Sequence, residues 1–352
     1  MGMGPRIARV HFGSGRSGIS TGMGPVGFYT SLGRSSRGRS RGGTRSGGPS
    51  HSSLVVAQRQ ANKEAKVREA NRLAEQFQAI LELHRAPFPP SQPPVAPASE
   101  VVDAAAIHRR YEAAELAGLK WYKFAERKAA RRRAAEASAA WIPHEAARRA
   151  QEREQLQRQL DDRWEAFVAN EPTVVLETLE EAFEDNDAPA AAVGMTGSEV
   201  AIVVLVPDLS AVPERLPSTT AAGNLSLRKL PKGQRNAIYL HLICGCVLTT
   251  AREALATAPG VKSLRIATLR RMESDSYGRP RAECVMATLF TRAALEGIDW
   301  QSADAPQVIA DAATEALIQL RGAAKNLVPL DLASEPELTA LLDLVDLSAM
   351  VE

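Results

Sequence analysis

Aromatic residues are scarce in this chain: eight Phe, five Tyr and four Trp among 352 residues, 5% in all. The length alone would allow two or three domains. So few rings argue that part of the chain does not fold compactly. Cysteine is scarcer still. Cys244, Cys246 and Cys284 are odd in number and lie in apolar sequence, which argues for reduced thiols in a cytosolic protein and against a disulfide framework. No N-terminal apolar core marks a signal peptide. No uncharged apolar run approaches the roughly 20 residues of a membrane span, and the most apolar stretch, Ala237–Leu248, is interrupted by His241. Also missing are a G-x-x-x-x-G-K-[ST] phosphate loop, a G-x-G-x-x-G set between strand and helix, a G-x-S-x-G nucleophile elbow and an H-E-x-x-H helix. No cofactor is expected.

What the chain has is charge, unevenly placed. The formal net charge is only +2. Residues 1–53 nevertheless hold eight arginines and no acid, while 171–187 hold seven acids and no base. The balanced total therefore does not exclude an anionic partner for the N-terminus. The preference for Ala and Arg over Lys fits a high-GC bacterial genome.

The most strongly patterned stretch is Lys232–Thr291. Pro231 can open a helix where its missing N–H costs nothing. Residues 238–248 are apolar nearly all round, as in a helix covered on most sides, and Pro259-Gly260 stops it. Two β-rich runs follow, Val261–Arg271 and Arg281–Thr291, around the turn sequence ESDSYG at 273–278. Both faces of the second run are apolar, which predicts an inner strand. A turn centred near Ser276-Tyr277 sets Arg270 opposite Glu283, a pairing of opposite charges.

Pro172–Val206 repeats this order. Val175, Leu179 and Phe183 form a helical stripe, and Ala190–Val193 and Glu199–Val206 flank a Gly194–Gly197 turn. VLETLEEAF from Val175 matches VLTTAREAL from Val247 at five of nine positions. The fold class expected is α+β: residues 171–352 form one mostly antiparallel sheet from a doubled α-β-β unit, with helices on one face. Pro207–Leu230 reads as a connector, Ala303–Arg321 as an amphipathic helix carrying Val308, Ala312, Ala316 and Leu320, and 327–352 as an acidic tail with a short helix near Glu335–Leu344.

The N-terminal half divides by composition. Residues 1–33 read as a small glycine-rich β-meander, 34–53 as a flexible basic linker, 54–86 as a helix and 87–98 as a proline-rich spacer. Residues 99–170 read as helical or coiled-coil-like: Ser99 caps a helix running from Glu100 towards Trp141, Pro143 interrupts it, and a further helix reaches Asn170. Leu156, Leu160, Trp164 and Phe167 recur at near-heptad spacing. Ser17-Gly18-Ile19-Ser20 followed by Gly22 resembles a short glycine- and serine-rich domain of unknown function that opens many bacterial proteins. That resemblance covers about 30 residues and carries no catalytic residue with it.

Candidate chemistry is sparse. Arg34, Arg37, Arg39, Arg41 and Arg45 could each meet a phosphate, giving a nucleic-acid tether, although no aromatic is interleaved for stacking. Arg228, Lys229, Lys232 and Arg235 form a second anion-binding candidate beside helix-start amides. Arg131–Arg133 and Arg148-Arg149 are better read as a solvated helix face. Glu273, Asp275 and Glu283 are the catalytic candidates: helix, strand, acidic turn and strand resembles the layout of restriction-type nucleases, which hold Mg²⁺ with Asp and Glu-x-Lys. The lysine of that pattern is missing, since Val285 stands there. Cys244 and Cys246 point about 200° apart on a helix, so with His241 they do not converge as a metal site. The sequence thus reads as a cytoplasmic, non-enzymatic interaction or scaffold protein associating through its helices, with a protein partner or self-association. A nucleic-acid-binding protein and a divergent nuclease are its rivals.

Overall fold

The computed structural model describes residues 51–186, 188–220, 224–345, 347 and 350. The expected β-meander at 1–33, and the linker up to residue 50, lie outside these. In chain order the elements are α1 (His51–Glu82), α2 (Ala104–Leu116), α3 (Phe124–Val168), α4 (Pro172–Phe183), β1 (Ala190–Thr196), β2 (Glu199–Val206), β3 (Arg215–Thr219), β4 (Leu225–Lys229) and α5 (Lys232–Thr257). They continue with β5 (Ser263–Met272), β6 (Arg281–Thr291), α6 (Arg292–Leu295), α7 (Ala305–Ala312), β7 (Ala313–Arg321), β8 (Asn326–Val328) and α8 (Pro336–Leu342). Two compact units result. Ser91–Val175 forms one, and the described residues up to Pro90 together with those from Leu176 onward form the other.

The discontinuous unit is α+β, as expected. Its main sheet has the order β1-β2-β5-β6-β7-β8, so both expected hairpins share one sheet and β6 is an inner strand. The sheet is mixed: four of its five pairings are antiparallel, but β2 and β5 run parallel in register from Glu199↔Ser263 to Val206↔Arg270. The matching strands of the doubled unit, β1 and β5, therefore point in opposite directions.

Helices cover both faces rather than one, and period-2 alternation explains how. Val200, Ile202, Val204, Leu264, Ile266 and Phe290 are fully buried on one face, against which α5 lies along β2 and β5. On the other, Val203, Leu205, Ala267, Leu269 and Cys284 pack with Leu330, Leu338 and Leu341 of the C-terminal segment. Each Val, Leu, Ile or Phe among these stabilises the fold by roughly 1.5–3 kcal/mol when fully buried.

Helix α5 is apolar nearly all round because it is enclosed. The sheet lies on one side, and α1 with the 3-10 turn Leu83–Arg85 lies on the other. It is the one helix among the described residues long and apolar enough by composition to cross a membrane, and most of that stretch is buried inside the protein. Gly245 lets the turn approach: a Cβ there would sit 3.3 Å from Leu83 Cβ. Thr249 Oγ1 donates to Leu83 O at 3.1 Å, and Arg252 donates to His84 O. The Arg252 guanidinium also lies over the Trp300 ring, 4.2 Å from its centroid, and faces Phe88 at 5.6 Å.

Two segments fold otherwise than their sequence reads. The expected 303–321 helix stops at Ala312, and 313–321 is β7, because β6 offers it an unpaired ladder from Phe290 to Met286. The expected connector 207–230 contains the β3–β4 hairpin, which packs on α1.

The Ser91–Val175 unit is a helical hairpin. Asp103, not Ser99, caps α2, accepting from Ala106 N at 2.8 Å. Gly118, at φ 79°, lies in the turn after α2. Helix α3 then runs 45 residues straight through Pro143. The proline-rich segment before α2 is tied along α3: Gln157 accepts from Ala96 N at 2.8 Å and donates to Pro94 O at 3.2 Å. Further along, Ser99 donates to Arg149 O and Arg149 donates to Glu100 O.

Candidate functional site

Two of the three hairpin acids are spent on the hairpin itself. Asp275 accepts from the amides of Tyr277 and Arg279 at 2.8 and 2.9 Å, the geometry of an Asx turn. Glu283 is bound by Arg270 from the facing strand, with Nε 2.7 Å from Oε1. Glu273 is exposed just beyond β5. Among the described residues, no three His, Cys, Asp or Glu side chains come together in a group able to hold a metal ion.

The basic cluster at 228–235 is partly spent within the chain. Arg228 and Lys229 end β4, and Lys232 is exposed at the start of α5. Arg235 turns inward and donates to Val212 O and Leu209 O, each at 3.1 Å, with Glu214 alongside at 3.3 Å. The Arg34–Arg45 candidates lie outside the described residues.

Distant sequence meets at a cleft of about 430 Å³ between α5, the start of α7 and the β7–β8 turn. Its polar wall is His241, Asp304, Asn236 and Lys325. His241 Nε2 lies 2.7 Å from Asp304 Oδ1, a pairing that fixes the ring and leaves Nδ1 as the other atom. Asp304 also caps α7 through Gln307 N at 3.3 Å. The Asn236 amide is spent on Ala324 O and Asn326 Oδ1, at 2.7 and 2.6 Å. A nucleophile would be needed beside this dyad. Cys244, one turn along α5, is buried, and burial pushes its thiol up to about 12, so it stays protonated at neutral pH. Cys246 is also buried. Burial likewise raises Cys284 to about 11. The cleft can orient a proton donor, but the groups around it mainly hold the Gly322–Lys325 turn against α5.

The feature that stands out chemically is the tip of the α2–α3 hairpin. Trp121, Tyr122 and Phe124 are 77%, 51% and 72% exposed, interleaved with Lys120 and Lys123. The tip is closed by backbone turns, Lys123 N to Lys120 O and Phe124 N to Tyr122 O, each at 3.1 Å. Arg127 clamps it by donating to Leu119 O at 3.1 Å. Trp121 and Tyr122 meet edge to face, 6.0 Å between centroids at 86°, and Lys120 lies 5.9 Å from the Tyr122 ring. Below the tip the arginines are engaged: Arg131 with Glu112, Arg132 with Glu136, Arg133 with Glu115, and Arg148 and Arg149 with Glu145. Those two arginines hold the Glu145 carboxyl down to about 2. Reading 100–141 as one helix hides the tip. The signal that reveals it is three rings within four positions in an aromatic-poor chain.

No family model matches this chain, and no curated protein or solved structure is significantly similar to it.

Proposed function

We propose that this chain is a non-enzymatic interaction protein, in which the α2–α3 hairpin is the docking arm and the α+β unit the body. The observation that carries this reading is the exposed Trp121-Tyr122-Phe124 tip. Large rings held in water on a hydrogen-bonded turn are costly unless they serve contact with something else. The ordinary polar groups point the same way: Asp275, Glu283, Arg235 and the helix arginines are engaged within the chain.

The test is capture from native lysate with the full chain as bait, proteins and nucleic acids both identified, alongside light scattering of the purified protein. The expected result is a recurrent partner or self-association that is lost in a Trp121→Ala/Tyr122→Ala/Phe124→Ala variant. A strict monomer that retains no protein, nucleic acid or lipid, or capture indifferent to the tip, overturns the proposal.

A further inference from the structure

We infer that the Lys120–Phe124 tip docks on the surface of an anionic lipid bilayer. This rests on reading the hairpin as a docking arm, and it names what the arm meets.

Four features point to a bilayer. The rings sit on a convex turn between two helices, so they can enter an interface without a groove having to close around the partner. Their kinds suit the headgroup layer, where Trp and Tyr place apolar ring and polar edge at the water boundary and lysines reach for phosphates. The charge is complementary: residues 118–128 hold four basic side chains and one acid, and Lys/Arg beside an anionic leaflet are attracted within a Debye length. Lastly, Lys123 has Glu126 at 2.9 Å and Arg127 is occupied with Leu119 O, so Lys120 and Lys128 remain the outward cations at the turn.

Single-stranded nucleic acid fits less well. Binding it calls for ring faces in succession along a basic groove. Here the Trp121 and Tyr122 planes are perpendicular, one ring's edge blocks the other's face, and Lys120 covers the Tyr122 ring.

The experiment uses the full chain and vesicles of phosphatidylcholine alone or mixed equally with phosphatidylglycerol. Flotation is read at low and high salt, with tryptophan emission in parallel. The expected result is flotation with the mixed vesicles only, weakened by salt. It should fall about tenfold or more in the triple-alanine tip variant and in Lys120→Glu/Lys128→Glu. A blue shift should accompany it, and Trp121→Phe should float nearly as well while losing most of that shift. These side chains are exposed, and an unchanged melting curve for each variant separates docking from folding. No flotation of the unmodified chain, flotation undiminished by the tip variants, or a shift retained in Trp121→Phe each overturns the inference. Absence of flotation with tip-dependent capture of a protein or an oligonucleotide overturns the bilayer while leaving the interaction reading intact. Tip-independent behaviour in every assay removes both.

Discussion

Arg270 and Glu283 face each other across the β5–β6 hairpin as a half-buried ion pair, with side chains 17% and 22% exposed. The pair sits where the ladder meets α5, close to Tyr239, whose hydroxyl donates to Pro207 O at 2.9 Å. Burial pushes that phenol up to about 12. Removing one partner leaves the other charge buried and uncompensated. Glu283→Ala is therefore expected to destabilise the fold by about 2–4 kcal/mol. A double-mutant cycle with Arg270→Ala in urea melts should give a coupling of about 1–3 kcal/mol. Additive losses would mean that the pair contributes nothing beyond its separate contacts.

Gly245 sets how closely the 83–85 turn approaches α5. Ala at this site gains about 1 kcal/mol of helix propensity but crowds Leu83, so Gly245→Ala should change stability by less than about 1 kcal/mol. Gly245→Val adds three carbons to a tight contact and should cost about 2–3 kcal/mol. Limited proteolysis should then release a fragment ending near Pro90. A Val variant that resists protease as well as the unmodified chain would show that the turn can yield.

Glu253, buried on α5, accepts from Asn186 Nδ2 at 2.7 Å, yet burial raises its pKa above the ordinary 4.5. A raised folded-state value means that the folded chain holds this proton more tightly than the unfolded one. Its contribution to stability is thus full below the ordinary pKa and is lost as pH rises through the folded pKa. Glu253→Gln removes that loss and keeps an acceptor for Asn186. The variant should melt higher than the parent at neutral pH, and the gap should close as pH falls below 4.5. A gap independent of pH would show that ionisation of Glu253 is not its source.

Gln157 holds the 94–96 segment on α3. Gln157→Ala should cost about 1 kcal/mol and should sharply raise hydrogen exchange at the buried Ala96 amide. Unchanged exchange there would mean that packing alone keeps the segment in place.

Local chemistry is what the sequence made readable. The turn acids, two apolar runs and one charge on each fix the β5–β6 hairpin down to the Arg270–Glu283 register. Residues 313–321 read as helix because Ala316 and Leu320 extend the spacing of Val308 and Ala312. Pairing with β6, more than 20 residues away, overrides it. Pro143 suggests a break that α3 does not make, since a single missing N–H in a long exposed helix is tolerated here. The true end of α2 is marked by Gly118. His241 and Asp304 are 63 positions apart, and nothing local announces their meeting.

The enclosure of α5 also orders events in time. Leu83 and Thr249 are 166 positions apart, so α1 leaves the ribosome long before the helix it leans on exists. The intervening 91–175 hairpin makes local contacts and can close early, whereas the body must await most of the chain. Non-local closure of this kind is slow, and α1 spends the interval with Leu73 and Phe77 uncovered. A nascent chain stalled before residue 232 should accordingly be the form most dependent on chaperones.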